Sequence, residues 1–474
     1  MKRFFFISLA LVLVAGFVVT AYAEDRLALS GEYRVRGFYS ENLKNFDSDN
    51  NSDNDSYFDQ RFRLGGKITA AEGVTANFRF DFGEEMWGSR QVTSLDGLAQ
   101  SALDTLPSSI KISNKVPGNG RPTENGELQI DRLYLRIERD IANFVAGQYD
   151  GAFGYVSAFE TQQKWLLLRL KPGPVFIDLA YIKLDEGYGK TDESDPPWTE
   201  DGDLYGANVM YNGEKFGLGA FVGYKTDKTR NRVATLTATT LALSDTVNDN
   251  TLTGFGVYFN GSFGIVDLKA EFDYFDGEAQ ASSVTFGTPN SLVPGAKGDL
   301  KGQQFYAMGK FKFGDTMALP VHFNYAKGYA NTAGETQVVQ MAPAFGDFYP
   351  NNLSSIWNGD YQPFPGGEAF DVAGTGGGVI SLAVNFDWQL VEEHKIEFQL
   401  GYALPEDEIK YVAGTTTGAQ TLDTFTWLAA GWQWNFVPAA DFSAVVLYDM
   451  PSYDDPNKKD DAGYGLFTKI RVKF

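Results

Sequence analysis

From Leu27 to Tyr39 the chain alternates with a period of two. Leu27, Leu29, Gly31, Tyr33, Val35, Gly37 and Tyr39 fall on one face, and Ala28, Ser30, Glu32, Arg34, Arg36 and Phe38 on the other. Successive side chains of a strand point to opposite faces, so this spacing describes a strand with one apolar and one polar side, and no helical period fits it. The same alternation recurs in Phe58 to Ile68, in Val74 to Phe82, in Val266 to Tyr274 and in Gln304 to Phe313. Followed along the chain it marks eighteen segments.

The connections between these segments alternate in length. The short ones are expected at 72–73, 139–142, 172–174, 213–215, 264–265, 314–319, 391–394 and 437–440. The long ones are expected near 40–56, 89–127, 151–159, 184–203, 227–250, 278–300, 331–375, 405–420 and 450–462. An even-numbered antiparallel meander with short turns at one end and long loops at the other is the plan of a transmembrane up-and-down β-barrel, all-β, of about 18 strands, with 16 as the neighbouring count. A soluble sandwich is the rival, but it does not explain apolar faces carrying Trp87, Trp165, Trp388, Trp427, Trp432 and Trp434 near strand ends. In a barrel those rings fit the interfacial girdles.

The start of the chain reads as an export signal. Lys2 and Arg3 precede an apolar run from Phe4 to Val19, and Ala21-Tyr22-Ala23 supplies a small-x-small cleavage site. Residues 1–23 are therefore expected to be removed, leaving 24–474 as one barrel domain that contains the long loop 331–375. The chain has no cysteine. An exported protein of this length must then hold together by packing and backbone pairing, without disulfides.

Charge narrows the partners. The 474 residues hold 61 acidic and 40 basic side chains, for a formal charge of −21. Such a balance excludes nucleic acid as a default ligand. Most of the acidity gathers in the long loops, as in Asp47 to Asp55 and Asp192 to Asp203. The alternating oxygens of Asp47 to Asp55 lack the central Gly and distal Glu of a calcium-binding helix-loop-helix, so no metal site is assigned. The polar faces of the first four segments and the last are instead basic. They supply Arg34, Arg36, Arg61, Arg63, Lys67, Arg79, Arg132, Arg136, Lys469, Arg471 and Lys473 as predicted pore-lining residues, with Glu32, Asp59, Asp81 and Glu138 as counter-charges. Asp178, Asp267, Glu271 and Asp273 on more distant segments would make the facing wall negative.

The loop 331–375 is too aromatic to be left in water. Phe345, Phe348, Tyr349, Trp357, Tyr361 and Phe364 are expected to form a constriction or lid inside the barrel, the alternatives being an aromatic track for a sugar-like substrate or a partner contact, and the loop 89–127 is a second candidate for the inward fold. Catalysis finds little support: His322 and His394 are the only histidines, and no nucleophile accompanies them. No enzyme activity and no cofactor are expected.

The last segment, Tyr464, Leu466, Thr468, Ile470, Val472 and Phe474, ends on an aromatic residue. In this it resembles bacterial outer-membrane porins, whose terminal Phe is read by the barrel-assembly machinery. The resemblance implies an outer membrane of a Gram-negative cell, contact with its lipids and lipopolysaccharide, and transport, including ion transport, by passive diffusion of small hydrophilic solutes. Through the basic arc, anionic solutes are expected to be favoured. Monomer and homotrimer both stay open. Arg61-Phe62-Arg63-Leu64 and Trp87-Gly88 look like alginate-export-type porins, although Ala146-Gly147-Gln148 stands where that family shows Gly-Arg-Gln. The alternatives are export of an acidic polysaccharide, or a barrel sheathing a periplasmic electron-carrier partner such as a cytochrome.

Overall fold

A computed structural model describes residues 26–43, 48, 54–87, 129–154, 161–185, 202–227, 230–236, 241–285, 291–293, 297–327, 356, 378–404, 422–453 and 459–474. The segment read as an export signal lies outside these residues. The strands are β1 (Leu27–Glu41), β2 (Asp55–Ala71), β3 (Val74–Met86), β4 (Gln129–Glu138), β5 (Ala142–Gly151), β6 (Thr161–Leu170), β7 (Val175–Asp185), β8 (Gly202–Asn212), β9 (Phe216–Asp227) and β10 (Arg230–Leu236). They continue as β11 (Leu241–Phe263), β12 (Val266–Thr285), β13 (Ser291–Val293), β14 (Lys297–Phe313), β15 (Met317–Lys327), β16 (Gly378–Val391), β17 (His394–Leu404), β18 (Leu422–Val437), β19 (Ala440–Tyr453) and β20 (Gly463–Lys473).

Each wall strand pairs antiparallel with the next, and β1 pairs with β20 from Glu32↔Lys473 to Glu41↔Tyr464, which closes the sheet. Eighteen strands make the wall. The two others stand beyond it: β9 pairs directly with β11 and β12 with β14, while β10 and β13 pair only with the outer parts of β11 and β12. The connections expected at 227–250 and 278–300 are thus partly a strand extension of the sheet. The eight short turns fall where the alternation stops, several on a glycine with positive φ such as Gly73, Gly173, Gly264 and Gly314.

The two faces of the wall are inverted relative to a water-soluble core. Arg34, Asp59, Asp178, Glu271, Asp273, Asn324 and Asn385 are buried on the inside, whereas Leu218, Phe398 and Leu400 are each more than half exposed on the outside. Such a surface needs an apolar surrounding, and closure leaves no unpaired wall edge, the two conditions for strands in a bilayer. Aromatic pairs mark both rims. Tyr39 and Tyr464 lie together near the long-loop end, and His394, Trp432 and Trp434 stack near the short-turn end. The ring of Phe474 covers Gly31, where any Cβ would collide with it, and the backbones of these two residues exchange hydrogen bonds of 2.7 and 3.0 Å.

Candidate functional site on the inner wall

The strand alternation brings the eleven predicted basic residues onto one inner arc: Lys469, Arg471 and Lys473 on β20, Arg34 and Arg36 on β1, Arg61, Arg63 and Lys67 on β2, Arg79 on β3, and Arg132 and Arg136 on β4. Registers arrange them in rows across the closure. Asp441, Arg471, Arg34 and Arg61 form one row, Ser443, Lys469, Arg36 and Asp59 the next, and Lys473, Glu32, Arg63 and Asp81 a third. Three guanidinium groups are therefore direct neighbours in the first row.

Carboxylates interleave with this arc more densely than the sequence suggests. Arg36 holds Asp59 in a two-pronged contact of 2.7 to 3.1 Å, and Arg63 holds Asp81 likewise at 2.7 Å. Arg61 bonds Glu32 at 3.0 Å, Arg471 bonds Asp441 at 2.9 Å and Arg136 reaches Glu138 at 3.5 Å. Three further acids join the four expected ones. A bulge between β3 and β4 turns Asp131 onto Arg79, Asp150 meets Arg132 at 2.5 Å, and Asp441 follows the turn before β19. Among the described residues the eleven bases of the arc thus meet seven carboxylates, where the sequence named four.

Two of the four acids expected to make the facing wall negative are matched by bases. Asp178 accepts two bonds from Arg169, at 2.6 and 2.8 Å, and Asp267 accepts from Lys312 at 2.8 Å and from the Ser262 hydroxyl at 2.6 Å. Asn208 extends the first group, donating to Asp178 and accepting from the Tyr258 hydroxyl at 2.8 Å. Gln304 donates to Asp273, the Tyr306 hydroxyl meets His322 Nδ1 at 3.2 Å, and Trp427 donates to Gln399 at 3.1 Å. In this polar belt Asp178 and Asp267 are matched by bases, Asp273 meets the neutral Gln304 amide with Glu271 buried on the same strand, and His322 is part of the belt. Among the described residues no group of three or more His, Cys, Asp or Glu is disposed to hold a metal ion.

Between the two lies an apolar cluster on the inner face of β5 to β12, which sequence reasoning did not locate. Val145, Trp165, Leu167, Ile182, Leu204, Phe221 and Phe275 are all buried, and the residue that covers them is Phe153, from the connection after β5. Its ring meets Trp165 edge-on at 6.0 Å and lies 6.4 Å from Phe221. Gly206 makes room for it: a Cβ there would come within 2.3 Å of the Phe153 ring. Gly154, at φ 84°, then seats its backbone on the Glu271 carboxylate. The signal for this inward fold was the apolar run Gly151 to Phe159 in a connection otherwise expected in water.

The aromatics predicted to constrict the barrel, Phe345, Phe348, Tyr349, Trp357, Tyr361 and Phe364, lie outside the described residues. One member of their loop, Ile356, is described: it is buried, with its Cδ1 3.0 Å from where a Cβ on the inner-face Gly431 would stand. From the first long loop, Leu43 is buried likewise against Gly463 and Gly465 of β20.

No family model matches the chain, and no curated protein matches it. The resemblance to alginate-export-type porins thus rests on its short motifs alone. Among solved structures, the chain is similar to OccK9 (OpdG) of Pseudomonas aeruginosa, with a TM-score of 0.51 at 11% identity over 95% of this chain and 99% of that one. It also aligns with OccK1 (OpdK) of the same organism, with a TM-score of 0.47 at 10% identity over 94% and 98%. The outer-membrane channel DcaP of Acinetobacter baumannii aligns with a TM-score of 0.44 at 11% identity over 94% and 97%. At these identities the first likeness bears on the fold, which is a closed antiparallel barrel of 18 strands.

Proposed function

We propose that this barrel is an outer-membrane channel for passive diffusion of small hydrophilic solutes, with a preference for anionic ones. The observation that carries the reading is the distribution of side chains about a wide closed wall. Apolar side chains face outward, while charged and amide side chains face an interior that eighteen strands are too wide to fill by their own side chains.

The preference rests on the arc. Its rows of arginine and lysine lie along one side of the interior, and their carboxylate partners fix the guanidinium planes while cancelling only part of the charge. On the facing wall the bases beside Asp178 and Asp267 reduce the opposing charge, and the arc is read as the main source of positive field across the interior. Phe153 and Ile356 narrow the passage from two directions. No step of bond making or breaking is ascribed to the barrel. Export of an acidic polysaccharide would draw on the same arc, but nothing in the described residues favours a polymer over a small anion.

Planar-bilayer recording tests both parts. Purified protein should open ion-conducting channels, and in asymmetric potassium chloride the reversal potential should have the sign of anion preference. Absence of conductance would sink the channel, and clear cation preference would sink the role of the arc. Arg34→Ala and Arg61→Ala should each shift the reversal potential toward zero.

A further inference from the structure

The bases of the arc differ in how far they reach the interior. At the closure, the side chains of Arg36, Arg61 and Arg471 are 7%, 9% and 14% exposed, and each holds a carboxylate. Away from it, on β4, those of Arg132 and Arg136 are 31% and 36% exposed. Lys67 on β2 is exposed as well. A buried, paired base acts on a passing solute through its field, whereas direct contact needs a base that opens to the interior with donors to spare.

Register places Lys67 in a group of this second kind. Its row runs Lys67, Asn77 and Tyr134 across β2, β3 and β4. The row toward the long loops is Gly65, Arg79 and Arg132, and the row toward the short turns is Thr69, Thr75 and Arg136. The carboxylates nearby are committed to other bases: Asp81 to Arg63, Asp150 to Arg132, and Glu138 to Arg136 at 3.5 Å. No carboxylate of the described residues pairs with Lys67. Its neighbours add directional donors. The Asn77 amide gives one N–H to Thr75 Oγ1 at 3.1 Å and keeps a second. The Arg136 guanidinium lies over the Tyr134 ring at 5.9 Å, and Tyr149 meets that ring edge-on at 5.0 Å, so both groups are steadied from the side.

Resting on the reading of the barrel as a channel that favours anions, we propose that Lys67, Asn77, Tyr134 and Arg136 form a binding subsite on the inner face of β2 to β4. Its ligand is the oxyanion group of a solute, a carboxylate or a phosphate. Strands stand about 4.8 Å apart, so side chains as long as lysine and arginine can converge on one such group from β2 and β4. Lys67 supplies the charge. Asn77, Tyr134 and Arg136 supply donors in different directions, a layout that matches several acceptor oxygens on one centre better than a single-atom halide.

Single-channel recording of the full barrel in graded potassium phosphate and potassium acetate tests the subsite. Wild-type conductance should saturate in both salts, and at lower concentration than in potassium chloride. Lys67→Gln and Arg136→Gln should each raise the half-saturating concentration about fivefold, the effect of one partly exposed charged contact. Lys67→Arg should stay near wild type, and Lys310→Gln, an inward base on β14 across the barrel, should leave the value unchanged. The electrophoretic shift between heated and unheated samples verifies that each variant is folded. Conductance that rises linearly with phosphate and acetate, equal half-saturation in chloride, or an unchanged value in the double Lys67→Gln, Arg136→Gln variant would overturn the subsite. So would an equal effect of Lys310→Gln, since it would show a diffuse field only. Broadening of the phosphorus NMR signal of inorganic phosphate by the detergent-solubilised barrel, lost in the double variant, reads binding without current. A barrel with no chloride current would thus sink the channel while the NMR measurement still decides the subsite.

Discussion

Two ion pairs on the same arc illustrate how burial decides the worth of a single residue. The side chains of Arg36 and Asp59 are 7% and 1% exposed, and those of Arg136 and Glu138 are 36% and 48% exposed. Removing one partner of a buried pair leaves the other charge without its counter-ion, which costs about 3–5 kcal/mol, whereas an exposed pair contributes less than about 1 kcal/mol. Asp59→Asn should therefore lower the unfolding free energy in detergent by about 3–5 kcal/mol, measured by urea titration of tryptophan fluorescence. Glu138→Gln should leave the same curve within about 1 kcal/mol of wild type. Equal effects would show that the arc is solvated throughout.

The start of the connection after β5 is held by Phe153, which docks onto a cluster built from β5, β6, β7, β8, β9, β11 and β12. Phe153→Ala removes the ring that covers Trp165 and Phe221. It should cost about 3–5 kcal/mol if the cavity stays open, and raise single-channel conductance as the connection loosens. Unchanged conductance would place the narrowest point elsewhere. A second element-scale contact joins the first and last long loops. The backbone N–H and the hydroxyl of Ser48 donate to Asp461 at 2.9 and 2.6 Å, and these bonds hold the Asp461 carboxyl below the usual carboxylate range. A carboxyl with a lowered pKa stabilises the contact above its ordinary range and loses that effect as pH falls through the lowered value. Hydrogen exchange at the Ser48 amide, corrected for its intrinsic rate, should show protection at neutral pH that fades in acid. Asp461→Asn should flatten that dependence.

At the scale of the molecule, the sheet that closes and the sheet that projects are separable. Residues 230–247 pair only among themselves and with the outer part of β12, above the last β9–β11 pair at Asn250↔Asp227. Deleting them should leave a barrel that still shows the heat-dependent electrophoretic shift of the full chain. A barrel that fails to form would mean that the extension guides pairing of the wall. The plan of the wall was readable because each strand repeats one rule, and the rule ends abruptly at Glu72-Gly73, Gly213 to Lys215 and Gly264-Ile265. The rule says nothing about β10 and β13, which have no membrane to alternate against. It also misplaces Asp131, since a bulge breaks the count of two, and it misses Phe153, whose burial depends on glycines more than fifty residues away at Gly206. The base that answers Asp267 was hidden for a related reason: Asp267 meets Lys312 across a strand pair 45 residues apart in sequence.

The seam between β1 and β20 joins the two ends of the wall, as Thr468 Oγ1 does in reaching the Gly37 carbonyl, 431 positions away, at 3.4 Å. It is also where Arg471, Arg34 and Arg61 come side by side. Arg34 and Arg61 already face each other in the β1–β2 pair, and closing the seam adds Arg471 beside Arg34. The carboxylates that temper their repulsion belong to both approaching edges, Asp441 and Asp59 among them. Each edge therefore carries its own carboxylate to the seam, Asp441 beside Arg471 and Asp59 beside Arg36, and closure joins two sides whose charges are already partly answered.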